Sequence, residues 1–210
     1  MNREPETSTR KVILTMLKTQ GPLSVHEMSR QLEITEMAVR RHIHSLERDG
    51  LLETQLVRQA VGRPSSLYSL AAAADELFPK NYHQLSLDLL DELLEYEGEE
   101  LVGRLFERRK EKLHARYEPR MSGKCLAERV AELASIQNEN GYMAEWSPSG
   151  EGAFTLSEYN CPITQVAGAY QQACACELAL FRHLLGAEVE RSECLAKGGS
   201  KCVYHIREDQ

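Results

Sequence analysis

The amino-acid sequence predicts an α+β protein: an N-terminal winged helix-turn-helix over residues 1–80, linker or dimerisation helices over 81–120, and a C-terminal α+β module over 121–210. Three observations carry this expectation. Two short helical stretches joined by a tight turn precede a hairpin whose tip reads Gly62-Arg63-Pro64. A leucine-periodic stretch comes after it. Beyond that, two pairs of alternating segments flank a helical region, and all six cysteines lie in this last part of the chain.

In the head, Thr9 is placed to cap a first helix over residues 10–18, with Ile13, Leu14 and Leu17 as its apolar side and Gly21-Pro22 as its stop. Ser24-Val25-His26-Glu27 fits a capping box, in which hydroxyl and carboxylate satisfy free amides at a helix start. That second helix should reach Leu32. After Glu33-Ile34, Thr35 caps a third helix ending near Asp49-Gly50. There Val39, Ile43 and Leu46 share one face and should pack inward, which turns Met37, Arg40, Arg41, His44 and Arg48 outward. Such a helix pair, the second basic on its outer face, suits insertion into the major groove of double-stranded DNA. Thr35, Met37, Arg40, Arg41 and His44 are the candidate contacts. A basic helix face alone could equally be a solvated surface; the hairpin beyond it decides for DNA. Residues 51–56 and 66–70 read as paired strands, and the wing between them carries Arg58 and Arg63; Arg63 is expected to reach the backbone or minor groove.

In the middle, Leu85, Leu89, Leu90, Leu93 and Leu94 keep a helical period over residues 82–96. Gly98 interrupts it, and Leu101, Val102, Leu105 and Phe106 open a second helix running to about residue 117. These faces need a surface to cover them, either in the same chain or in a second copy. A homodimer is expected, because winged-helix readers engage paired half-sites symmetrically. Arg108-Arg109-Lys110 reads as a solvated face.

The tail should hold a helix over 124–140, strands over 142–146 and 153–159, a helical region from Pro162 to Leu185, and a hairpin of strands 189–195 and 202–207. Thiolates are the soft ligands of iron–sulfur clusters, zinc or Cu(I). No C-x2-C pair occurs, which disfavours zinc ribbons and common ferredoxin spacings. Between Cys161 and Cys174 lie twelve residues, and between Cys174 and Cys202 twenty-seven, with Cys176 and Cys194 in the second interval and Cys125 upstream. Cys174 and Cys176 point to different sides of a helix and should not share a site; Cys176 and Cys125 read as buried core residues. An unbroken helix would hold Cys161 and Cys174 about 18–20 Å apart. A shared site therefore needs a break between them, and Gly168-Ala169-Tyr170 is the place for it. Spacing alone leaves open whether these thiols hold a metal.

The balance of charge is −7 overall. Residues 1–80 carry 11 Lys+Arg against 10 Asp+Glu, and residues 81–210 carry 14 against 22, so the front is much the less acidic half. No run approaches the roughly 18 apolar residues of a membrane span, and the first residues lack the apolar core of a signal peptide. A cytoplasmic protein with reduced cysteines is expected. Neither a nucleophile–base arrangement, a P-loop nor a dinucleotide fingerprint is present, so no catalysis is expected.

In these motifs the chain resembles the SufR-type repressors, iron–sulfur-responsive regulators of cluster-assembly (suf) genes. The likeness takes in the helix-turn-helix, Gly62-Arg63-Pro64, Tyr68-Ser69-Leu70 and Leu77-Phe78-Pro79. In the tail it takes in Gly141-Tyr142-Met143-Ala144-Glu145-Trp146, Asn160-Cys161-Pro162, Cys174 followed by Glu177-Leu178, Val189-Glu190-Arg191, and Gly199-Ser200-Lys201-Cys202-Val203-Tyr204. The resemblance implies a homodimer with one iron–sulfur cluster (4Fe-4S or 2Fe-2S) per subunit, repressing from its operator while the cluster is bound. It also implies that Cys161, Cys174 and Cys202 are ligands. The family's four-cysteine form has a further cysteine where Ala187 or Glu188 stands here, which leaves a fourth ligand to find. Cys194 is the nearest spare thiol; Glu188, His183, His205 or a residue outside this stretch are the other choices. Two rivals use the same head: a zinc- or thiol-based redox regulator, and a small-molecule sensor, since the hairpin from Cys194 to Tyr204 also resembles 4-vinyl-reductase-type ligand-binding domains.

Overall fold

A computed structural model describes residues 8–58 and 64–208. Two compact units divide between Lys80 and Asn81.

The first unit contains α1 (Thr9–Gln20), β1 (Leu23–Ser24), α2 (Val25–Leu32), α3 (Glu36–Arg48), β2 (Leu52–Val57), β3 (Ser65–Leu70) and a 3-10 turn over Ala72–Leu77. The Ser24–Glu27 capping box is formed, and the Ala38 amide donates to Thr35 Oγ1 at 3.2 Å to open α3. Val39, Ile43 and Leu46 are sealed in a core with Ile13, Leu17 and Met28. Two expectations need correction. Thr9 is the first helical residue and Ser8 stands at the cap without a side-chain bond. The sheet also has a third strand: β1 pairs with β3, giving the order β1-β3-β2. The wing tip, Arg63 included, lies outside the described residues.

The second unit contains α4 (Tyr82–Met121), α5 (Leu126–Glu139), β4 (Ala144–Gly150), β5 (Ala153–Glu158), α6 (Thr164–Ala169), α7 (Gln172–Leu185), β6 (Glu188–Glu193) and β7 (Cys202–Arg207), with a 3-10 turn over Leu195–Lys197. The expected interruption of α4 is present: Gly98 sits at φ 79°, ψ 178°, so two helices meet there. Only glycine adopts that conformation without strain. Four antiparallel strands run in the order β4-β5-β7-β6. Strand alternation sends Ala144, Leu156, Val189, Tyr204 and Ile206 into one core with Val130, Leu133, Phe181 and Leu185 from α5 and α7. Val102 and Phe106 of α4 complete that same core. Strand β4 runs past the expected end at Trp146 to Gly150; it is an edge strand, where Pro148 is tolerated because no ladder amide is needed on its open side.

Candidate functional site

On the head, Thr35, Met37, Ala38, Arg40, Arg41 and His44 line one shallow concavity. The structure thus gathers five of the six residues named for DNA contact on a single face; Arg63 is not described. Met37 is 79% exposed, against complete burial of Val39 two residues on, as the helical period requires. Arg40 also borders a second hollow with Pro64, Ser65 and Ser66 at the base of the wing. Glu36 sits among these cations, 3.6 Å from Arg40 and 3.2 Å from His26 Nδ1. A phosphate approaching Arg40 must therefore compete with an exposed carboxylate, which holds the arginine along the groove face at small cost.

In the second unit Cys194 has three other sulfurs around it, those of Cys161, Cys174 and Cys202. Helix α6 ends at Ala169, Tyr170 takes extended angles (φ −118°, ψ 91°), and α7 starts afresh at Gln172. This is the expected break, and it lets Cys174 lie beside strand residues instead of trailing Cys161 along one axis. The Cys174 and Cys194 side chains are in hydrogen-bond reach of each other. The Leu195 amide donates to Cys202 Sγ at 3.4 Å. Cys161, half-buried in the loop between β5 and α6, accepts from the Ile163 amide. Cys161 and Cys202 each feel the charge of Cys194 as well.

Backbone detail explains why Cys194 returns to Cys202. The Cys194 carbonyl accepts from the Lys197 and Gly199 amides, at 3.1 and 3.0 Å. Glu193 clamps the far side of the turn, accepting from Ser200 N at 2.6 Å, Ser200 Oγ at 2.9 Å and Lys201 N at 3.3 Å. A Cβ on Gly199 would stand 2.8 Å from Glu193 Cγ and 2.9 Å from the Cys194 carbonyl oxygen. Only glycine fits so close a backbone approach.

Three other side chains that could have supplied a fourth ligand face elsewhere. Glu188 pairs across the sheet with Arg207, five residues along β7 from Cys202, a span of about 16 Å. His205 is on the outer face and bonds Ser192 Oγ at 2.9 Å. His183 stacks edge-on against His114 with centroids 6.0 Å apart. Cys176 points away from Cys174, as its place on the helix requires, and donates to Glu107 Oε1 at 3.2 Å. Cys125, expected in the core, is instead exposed at the start of α5.

The sequence motifs give no warning of the polar floor of this site. Tyr204 Oη reaches Glu177 Oε2 at 2.9 Å and Glu158 Oε2 at 3.4 Å, while Gln137 Nε2 donates to Glu158 Oε1 at 2.7 Å. Tyr142 also bonds Glu177. Glu177 thus takes phenolic donors, while Glu158 relies chiefly on the Gln137 amide. Burial raises both carboxyls above the usual range, and at Glu158 repulsion from Glu177 adds to it. Glu158 alone carries a signal: it shares strand parity with Leu156, and so points inward. The same enclosure acts on the sulfurs. Burial, reinforced by Glu177 and by Glu158 or Cys194, pushes Cys161 up to about 11 and both Cys174 and Cys202 up to about 12. At neutral pH these three are thiols.

As a donor set, four thiols around Cys194 suit a thiophilic metal or iron–sulfur cluster. They are not drawn onto a common centre: among the described residues no three His, Cys, Asp or Glu side chains converge tightly enough to hold a metal ion. The chemistry of the set fits, and closure onto a ligand would draw the sulfurs together and release their protons.

Residues 6–55 match the family model described as a helix-turn-helix domain. No curated protein matches the chain. Among solved structures, a cysteine-to-serine mutant of ZitR from Lactococcus lactis is 20% identical over 54% of this chain and 80% of its own, with a TM-score of 0.29. PadR of Bacillus subtilis in complex with operator DNA is 12% identical over 86% and 96%, with a TM-score of 0.31. A trafficking protein particle complex subunit 3 from Naegleria fowleri, covalently bound to palmitic acid, is 13% identical over 61% and 93%, with a TM-score of 0.38. All three scores fall below 0.5, and none carries weight for function. The helix-turn-helix domain makes the chain a DNA-binding regulator of transcription. Among the described residues no helix is long and apolar enough to cross a membrane.

Proposed function

We propose that this regulator is a homodimeric, non-catalytic repressor that senses iron or redox state through an iron–sulfur cluster held by Cys161, Cys174, Cys202 and Cys194, and that it acts on cluster-assembly genes. The observation that supports the sensing half most is that Cys194 touches Cys174 and lies in electrostatic range of both Cys202 and Cys161. When bound, the cluster supplies a redox-labile, iron-dependent crosslink between these residues. The residues do the remainder: Gly199 and the Glu193 clamp hold Cys194 against Cys202, and the broken helix brings Cys174 to them. Arg40, Arg41 and His44 of α3 meet DNA.

The rivals are less well supported. A thiol redox switch needs a thiolate, and Cys161, Cys174 and Cys202 hold their protons. A sensor of apolar ligands needs a cavity; the one beneath α4 and α7 holds about 50 Å³, room for one or two waters at roughly 30 Å³ each. Its lining mixes Leu113, Leu180 and Phe181 with Arg109, Gln137 and Glu177, so its small size, not its chemistry, counts against an apolar ligand.

Anaerobic purification with iron and sulfide counted per chain tests the cofactor. Gel shifts with loaded and metal-free protein on the promoter of the cluster-assembly genes test the switch. The expected result is a coloured protein with iron and sulfide in equal amounts and tighter operator binding when loaded. A colourless zinc protein, or equal affinity in both forms, would overturn the proposal.

A further inference from the structure

Strand β6 aims a cation at the sulfurs. Arg191 pairs across the sheet with Tyr204, on the face that packs inward. Cys194 follows three residues later, an odd step that a regular strand would send to the opposite face. The pairing slips between Arg191 and Glu193, and the extra residue is Ser192, whose hydroxyl stays outside on His205. Such bulges re-aim side chains. Here the alternation is reset: Glu193 stands opposite Val203, and Cys194 turns into the core with Cys202. Arg191 and Cys194 consequently face the same way and line one surface hollow.

The Arg191 guanidinium is half-buried, and its Nη1 donates to the Cys174 carbonyl at 3.1 Å. The Tyr204 hydroxyl is also in hydrogen-bond reach. Both of these partners are neutral. Among the described residues no carboxylate forms an ion pair with Arg191. Its charge acts on Cys174 and Cys194, and its field reaches Glu158 and Glu177. A partly desolvated cation without a counter-ion costs stability. Thiolates formed on these cysteines would bring negative charge to the place where this cation waits.

We infer that Arg191 is a positioning residue of the thiol site: it fixes the Cys174 backbone, and its positive charge offsets the thiolates and favours the reduced, more negative state of a cluster held there. This rests on the iron–sulfur reading proposed above and adds the residue that tunes it. Ser192 has a part too, since the bulge at this residue is what lets a cation and a ligand three residues apart share one face.

The test compares full-length wild type, Arg191→Gln and Arg191→Lys, purified anaerobically. Iron and sulfide are counted, and the midpoint potential of the bound cluster is measured by dye-mediated titration. Urea unfolding of the metal-free forms, followed by Trp146 fluorescence, registers any loss that is only structural. Arg191→Gln keeps a donor but removes the charge; it should disfavour the reduced state about tenfold, a potential lower by about 59 mV for one electron. Arg191→Lys should return the potential most of the way to wild type. Loss of the cluster from Arg191→Gln alone, with metal-free stability kept, would likewise support the role of the charge. An unchanged potential in Arg191→Gln would overturn it, as would an equal fall, or loss of the cluster, in both variants. A wild type without iron and sulfide would overturn the cluster reading itself, and this inference with it.

Discussion

The buried carboxylate pair beneath the thiols gives the chain a pH dependence that can be worked out from its contacts. Glu158 is 1% exposed, and burial together with Glu177 pushes its carboxyl up to about 8, from 4.5. The folded unit thus holds a proton that the unfolded chain has released. Stability from this source is full below about pH 4.5 and is lost as pH rises toward 8. The slope is about 1.4 kcal/mol per pH unit for one proton. Between about pH 5.5 and about pH 7.5 the loss is roughly 2.7 kcal/mol, against a usual total of about 5–15 kcal/mol. Glu158→Gln replaces the protonated acid with a neutral amide of the same shape that can still accept from Gln137, and the slope should flatten by about one proton's worth. The assay is urea unfolding of metal-free protein followed by fluorescence of Trp146, the single tryptophan. Its ring packs edge-on against Phe154 at 5.9 Å in the second unit, so the head does not contaminate the signal. Parallel stability curves for wild type and Glu158→Gln across this range would refute the idea that the pair holds a proton.

Three further outcomes are expected. Arg41→Ala should weaken operator binding and reduce the slope of log affinity against log salt by about 1, measured by fluorescence anisotropy at several salt concentrations; an unchanged slope would remove Arg41 from the phosphate contacts. Ile43→Ala empties a fully packed site in the head and should cost about 2–5 kcal/mol, abolishing DNA binding while Trp146 unfolding stays as in wild type. Cys194→Ser should lose iron and sulfide on anaerobic purification whereas Cys176→Ser keeps them, because Cys176 is committed to Glu107 on α4; iron retained in Cys194→Ser would exclude that thiol as an essential ligand.

Much of the head was legible because its signals are local. A capping box, a capping threonine and a four-residue apolar period each declare themselves within a turn or two of chain, and all three are observed. The break at Gly98 and the one at Tyr170 were legible for a similar reason, one through glycine, the other through the distance a straight helix would impose. What escaped depends on chain neighbours that sequence does not specify. Strand β1 has two residues and exists only because β3 passes beside it. Cys125 belongs to a residue type usually buried, but its place at the mouth of α5 leaves it in solvent. The carboxylate pair needs β5 and α7 to face each other across Tyr204, whose ring is locked against Phe181 at 4.9 Å.

The thiol site touches α4 through Tyr170, and that contact suggests how a change at the sulfurs would leave the site. Tyr170 occupies the break between Cys161 and Cys174, and its hydroxyl bonds Asp91 of α4, one turn on from the core-packed Leu87. Asp91 lies two residues from Leu89, on the opposite side of the same helix from it. If closure onto a metal shortens the distance between Cys161 and Cys174, the segment that must bend is the one Tyr170 anchors, and the strain falls on α4 before any other element. Tyr170→Phe keeps the ring against Phe106, 6.3 Å away, and removes only the bond to Asp91. Iron binding should survive that change, while the difference in operator affinity between loaded and metal-free protein should shrink. If the difference persists undiminished, the signal reaches the head by a route that bypasses Asp91, and the coupling must lie in the α7 face of the core instead.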